Sequence, residues 1–120
     1  MMYDVSLSEL DEIKIALSEA VSNSIIHGYG NHEDGVVRII FAVQNDELTI
    51  CVEDDGVGIS NIEQAMEPAF STKMEHMGLG FVFMQTFMDK LTVESEIGVG
   101  TRVTMQKALL NQEASEPQAM

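Results

Sequence analysis

The chain has 120 residues and a formal net charge of -14, from 20 acidic residues against 6 basic ones. That is one domain's worth of polypeptide, and its charge would repel a duplex's phosphate backbone rather than neutralise it, so direct nucleic-acid binding is excluded. No run approaches the ~20 apolar residues of a spanning helix and no basic leader precedes Tyr3, so a cytoplasmic protein without membrane contact is expected.

At this length a single core is feasible, because roughly two-thirds of the unfolded surface can be buried. An acidic domain can still hold a nucleotide if a divalent cation, helix N-termini and local bases offset the phosphate charge. Lys73 and Arg102 are candidates for those bases. The single cysteine, Cys51, lies in the apolar alternation Leu48-Ile50-Val52, which predicts a small buried side chain and no disulfide.

In chain order, Ser6 and Ser8 each stand three residues before an acid, Glu9 and Asp11, giving two options for capping a helix. Leu10, Ile13, Leu17, Ala20 and Val21 follow at helical spacing and predict a helix over Ser8 to His27, ending at Gly28 or Gly30. The polar stretch Asn31-His32-Glu33-Asp34-Gly35 predicts a loop. Val36 to Val43 and Leu48 to Glu53 are rich in β-branched residues and predict an antiparallel hairpin across Gln44 to Glu47. A short helix is expected near Ile62 to Met66, stopped by Pro68, and then a loop from Ala69 to Met77.

Leu79 to Met88 is apolar on nearly every face and predicts a buried second helix. Leu91 to Glu96 and Thr101 to Lys107 alternate around Ile97-Gly98-Val99-Gly100 and predict a second hairpin. The domain is thus expected over residues 1–107, with a disordered tail over 108–120.

Four local patterns bear on chemistry. Glu19 and Asn23 are four apart, so they share one face of the first helix, with His27 one turn further on. Asp54-Asp55-Gly56-Val57-Gly58 leaves a strand with two glycines that let backbone approach a flat ligand, beside a carboxylate able to accept from an exocyclic amine. Gly78-Leu79-Gly80 stands where a loop is expected to enter a helix, which suits phosphate binding by free N–H groups. Gly98, Gly100 and Thr101 open the last strand. Taken singly, each is also explained as a solvated helix face, an Asp-Gly turn or a hairpin turn. Their order along the chain is what carries information.

That order resembles the Bergerat-fold ATPase superfamily shared by gyrase, the MutL repair proteins and the histidine kinases. The segments from Ser18 to Tyr29, Pro68-Ala69-Phe70-Ser71-Thr72-Lys73 and Gly78 to Asp89 are similar to the anti-sigma-F family of sporulation regulators. The resemblance spans Ser6 to Lys107. It implies an α/β (α+β) two-layer sandwich, with a mixed, largely antiparallel sheet and helices on one face.

It also implies an anti-sigma factor that binds ATP and Mg²⁺, sequesters a sigma factor, and phosphorylates an anti-anti-sigma protein on serine, acting as a homodimer. A kinase-inactive nucleotide- or sigma-binding module is the alternative. On matching positions, Glu19 is implied as general base, Asn23 as the Mg²⁺ ligand and Asp54 as the reader of adenine. Gly56 and Gly58 would shape the adenine pocket, and Thr101 would lie at its rim. Gly78 and Gly80 would end an ATP lid in which Lys73 nears the phosphates.

The family usually begins with a further strand and helix, about 30 residues, so this chain is expected to show an uncovered helix face and sheet edge. Its lid is about two residues short, with His76 where an arginine is expected. Two successive aspartates leave Asp55 as a competitor for the role given to Asp54.

Overall fold

In a computed structural model, residues 2–30, 34–67 and 72–111 are described, with the side chains of 72–77 and 110–111 outside that description. A two-residue strand, β1 (Tyr3–Asp4), leads to helix α1 (Leu7–Asn23). Ser6 rather than Ser8 is the cap. Its hydroxyl accepts from the Glu9 N–H at 3.1 Å, while the Glu9 carboxylate reaches back to the Ser6 N–H.

The α-helix is shorter than its periodicity predicts, because Ser24–Gly28 forms one π-helical turn. A π-turn widens the spiral by one residue and re-aims the side chains beyond it.

Strands β2 (Val37–Gln44) and β3 (Glu47–Asp54) form the first hairpin. Its loop is only Asn45-Asp46, both with positive φ (53° and 60°), the signature of a two-residue turn that matches strand twist. Helix α2 (Ile62–Met66) is capped by Asn61, as placed from the sequence. Helix α3 (Thr72–Phe87) begins seven residues before Leu79 and runs through the stretch expected to be a loop. Residues 68–71 of that expected loop lie outside the described residues.

The second hairpin is β4 (Lys90–Glu96) and β5 (Gly100–Ala108). Beyond it, β6 (Leu110–Asn111) pairs with β1, so the tail expected from residue 108 is held by backbone as far as Asn111. The Leu109 N–H also donates to the Asp46 carbonyl at 2.8 Å.

The main sheet has the order β2-β3-β5-β4 and is antiparallel throughout. Register sets the faces, since Ile50 opposes Met105 and Val52 opposes Val103. These side chains point to the helices and are at most 3% exposed. With Phe81 and Met84 of α3, Met88 just beyond its end, Ala16 and Ala20 of α1, and Ala65 of α2, they form the core. Alanines four apart on α1 let α3 approach closely. The Lys107 ammonium donates to the Phe87 carbonyl at 3.1 Å and pairs with Glu12 at 3.6 Å, tying the last strand to both helices.

Cys51 falls out of phase with Ile50 and Val52. It lies half-buried on the opposite face, where the Thr104 hydroxyl donates to its sulfur at 3.9 Å, correcting the buried placement. Along the β2 edge, Ile39, Phe41 and Val43 are 41%, 58% and 47% exposed, and Leu7 and Leu10 are open on α1. No described helix is long and apolar enough to cross a membrane.

Phe81 is the largest of the fully buried side chains. Phe81→Ala is expected to lower unfolding free energy by about 3–5 kcal/mol, measured by urea denaturation. Ile40→Thr, at a side chain open on the sheet edge, is expected to change it by less than about 0.5 kcal/mol.

Candidate functional site

The helices and sheet leave a cleft lined by Asn23, Ser24, His27, Gly28, Asp54, Gly58, Phe81 and Thr101. Three backbone segments meet there at unusually short range. A Cβ on Gly56 would fall 2.2 Å from the Gly28 carbonyl oxygen, and one on Gly100 would fall 2.0 Å from the Asp54 carbonyl oxygen. Gly100 also has φ 143°, which side-chain-bearing residues rarely adopt. Glycine at 56 and 100 is therefore what lets the loop after β3 wedge between the end of α1 and the second hairpin. Gly58, with φ 81°, packs against the Glu96 carbonyl in the same wedge.

The wedge separates the two aspartates. Asp54, on the inward phase of β3, is 5% exposed and turns its carboxylate toward Gly28. Its Oδ1 accepts from the Gly56 N–H at 2.9 Å, and the residue lines the cleft. Asp55 is exposed on the other side and takes a two-pronged bond from Arg38, at 2.7 and 2.9 Å. That guanidinium holds the Asp55 carboxyl below its ordinary range, by hydrogen bonding first and charge attraction second, and is itself pushed up by Asp55. Geometry thus assigns the inward carboxylate to Asp54.

Glu19 and Asn23 converge on Gly80, and of these three only Asn23 lines the cleft itself. A Cβ on Gly80 would be 3.0 Å from Glu19 Oε2 and 3.4 Å from Asn23 Oδ1. Asn23 Nδ2 is buried with no hydrogen-bond partner among the described residues, an orphaned polar group that a ligand can satisfy. An amide oxygen beside a carboxylate is a donor set that suits Mg²⁺ completed by phosphate oxygens. No cluster of three or more metal-ligating residues occurs among the described ones, so any cation here must draw most of its ligands from the nucleotide and water.

Thr101 lines the cleft, and its hydroxyl lies 2.8 Å from Ser95 Oγ. Ser95 donates to the Gly100 carbonyl at 3.0 Å and accepts from the Ile59 N–H at 2.7 Å, so Thr101 is the donor between the two hydroxyls. Ser24, 4% exposed, and Ser95 were missed from the sequence. The inward phase of β4, Leu91-Val93-Ser95, is the signal that could have located Ser95.

Two expectations are corrected. Gly78 and Gly80 do not open a helix; they lie inside α3, with their N–H groups in the helix interior. Thr72 to Met77 contains neither proline nor glycine, so nothing in it interrupts a helix. Each interior glycine costs that helix about 1 kcal/mol. Lys73 falls in the first turn of α3, but its side chain is outside the described set. Arg102 does not face the cleft. It lies across the sheet, bonded to Glu53 at 2.6 and 2.7 Å, because its neighbour Thr101 holds the inward phase. With α3 in place the cleft encloses ≈ 20 Å³, about one water molecule.

This fold and this cleft define a class. A sequence profile for the histidine kinase-like ATPase domain matches residues 2–107, and the chain belongs to that family. Among solved structures, the histidine kinase domain of the blue-light-activated kinase EL346 from Erythrobacter litoralis is similar, with TM-score 0.66 and 26% identity. That match covers 88% of this chain and only 47% of the kinase chain.

Within the family, the chain is 52% identical over 106 residues to the Anti-sigma F factor of Clostridium beijerinckii, covering 87% of this chain and 74% of the relative. It is 43% identical over 113 residues to the Anti-sigma F factor of a Geobacillus strain, covering 92% and 77%.

Two glycine substitutions separate close approach from ordinary turn strain. Gly56→Ala is expected to destabilise the fold by about 3 kcal/mol, as an overpacked backbone does. Gly30→Ala is expected to cost about 1 kcal/mol, since Gly30 has φ 57° but nothing within 4 Å. Chemical denaturation of both variants measures the difference.

Proposed function

We propose that this chain is a cytoplasmic anti-sigma factor and ATP-dependent serine-protein kinase, which sequesters a sporulation sigma factor and phosphorylates an anti-anti-sigma protein. The observation that carries the reading is the convergence of Glu19 and the unpartnered Asn23 amide on Gly80, opposite an inward Asp54. The extended identity to proteins named Anti-sigma F factor supports it.

Bound Mg-ATP supplies the phosphoryl group and the cation that screens its charge. Asn23 Oδ1 would ligate that cation. Asp54 Oδ2 accepts from the adenine amino group, while Gly56 and Gly58 keep the pocket wall to bare backbone and Thr101 closes its rim. Lys73, Gly78 and Gly80 serve the phosphate side once the start of α3 has opened. Glu19 takes the proton from the partner's serine hydroxyl as the serine oxygen bonds to the γ-phosphorus; the bond to the β–γ bridging oxygen breaks and ADP leaves.

Partner choice then follows nucleotide state, provided ATP and ADP each favour a different complex. The continuous α3, which holds both lid glycines in helix, favours a second reading as a binding module without phosphotransfer.

Calorimetric titration with ATP and Mg²⁺ is expected to give micromolar binding, on the order of 8 kcal/mol, weakened by Asn23→Ala and by Asp54→Asn. Glu19→Gln is expected to keep that binding and to lower serine phosphorylation of an anti-anti-sigma protein by about 10²–10⁴-fold. Binding by wild type without phosphotransfer would favour the module, and absence of binding by the folded chain would overturn the nucleotide reading.

A further inference from the structure

The acidic chain has only two arginines, and both lie on the sheet face turned away from the helices. The register makes this a consequence of strand alternation. Arg38 opposes Glu53 across β2 and β3, and Glu53 opposes Arg102 across β3 and β5. Each of these residues is the outward neighbour of an inward one, with Glu53 and Asp55 flanking Asp54 and Arg102 following Thr101. Arg38 reaches Glu53 at 3.8 Å and grips Asp55 with two bonds, while Arg102 holds Glu53 at 2.6 Å. A line of alternating charge therefore runs behind the two residues that face the cleft from the sheet.

Tyr29 joins this line from the helix side. Its hydroxyl accepts from the Asp55 N–H at 2.7 Å and donates to the Val36 carbonyl at 2.6 Å. Its ring packs where a Cβ on Gly35 would stand, 2.5 Å away. With the Gly56 N–H on Asp54 Oδ1 and the Val57 N–H on the Gly28 carbonyl at 3.0 Å, three successive amides of the loop are pinned. With Oδ1 held by the Gly56 N–H, the orientation of the Asp54 carboxylate is tied to the course of this loop.

We propose that Arg38, acting through Asp55 and Tyr29, is a positioning residue that sets base specificity, by aiming Asp54 Oδ2 at an exocyclic amine and away from a ring carbonyl oxygen. The inference rests on the nucleotide-binding reading above. Exposed ion pairs contribute little to stability, so the two-pronged geometry of this one acts on the direction of the loop rather than on the folding equilibrium. A carboxylate accepts from the 6-amino group of adenine and repels the 6-oxo group of guanine, so error in its direction is read as lost discrimination. Lysine at 38 keeps the charge but cannot make the two parallel bonds.

The test is competition of ADP and of GDP, each with Mg²⁺, against a fluorescent ADP analogue on the full chain. It compares wild type, Arg38→Ala, Arg38→Lys and the charge-reversed double variant Arg38→Asp with Asp55→Arg, recording melting temperature alongside. Wild type is expected to prefer ADP. Arg38→Ala and Arg38→Lys are expected to lose about tenfold of that preference through weaker ADP binding with GDP binding unchanged, and the reversed pair to regain part of it. An unchanged ADP-to-GDP ratio in both single variants overturns the inference while the nucleotide reading stands. Equal weakening of both nucleotides together with a lower melting temperature overturns it as well, since that marks an ordinary structural role. Wild type that binds neither nucleotide overturns the nucleotide reading and this inference with it.

Discussion

The site depends on backbone coming closer to backbone than any side chain would permit. Gly56 against the Gly28 carbonyl, and Gly100 against the Asp54 carbonyl, hold a helix end, a strand end and a hairpin turn in one knot. A methyl group at either position would drive these segments apart, and Asp54 would lose its place between them. The Val57 N–H to the Gly28 carbonyl and the Gly98 N–H to the Val57 carbonyl, both at 3.0 Å, show that the approach is also used for hydrogen bonding. The π-turn at Ser24–Gly28 belongs to the same constraint, since it delivers the Gly28 carbonyl where the loop can reach it.

The second element of the site, α3, is held by different forces at its two ends. Its C-terminal half is fixed by Phe81 and Met84 in the core, by Met88 just beyond its end, and by Lys107 on the Phe87 carbonyl. Gly78 lies in its N-terminal half and Gly80 just past the midpoint, and the N–H groups of its first turn have no acceptor within the helix. A bound phosphate offers those N–H groups a charged partner, and hydrogen bonds to charged groups are the stronger kind. The two interior glycines lower the work of unwinding by roughly 1 kcal/mol each.

Charge is distributed in keeping with this division. Both arginines serve the back of the sheet, and Lys107 serves the helix ends, so the described cleft offers amides, hydroxyls and carboxylates and no guanidinium. A divalent cation would offset part of a polyanion's charge in such a site.

The sequence by itself determined the elements and the order of the motifs: the helix bearing Glu19 and Asn23, two hairpins, a short helix and an apolar second helix. These follow from local periodicity, capping and turn chemistry, which the chain carries within a few residues of each position. Only tertiary structure decided which aspartate faces inward, because the answer lies in the β3 register and in the Arg38 partner 17 residues away. It also decided that Arg102 serves Glu53 rather than a phosphate, that Ser95 organises Thr101, and that residues from Thr72 onward are helical. Each of these depends on which distant group satisfies a hydrogen bond or which strand sets the phase of a face, and neither is encoded by the spacing of neighbours.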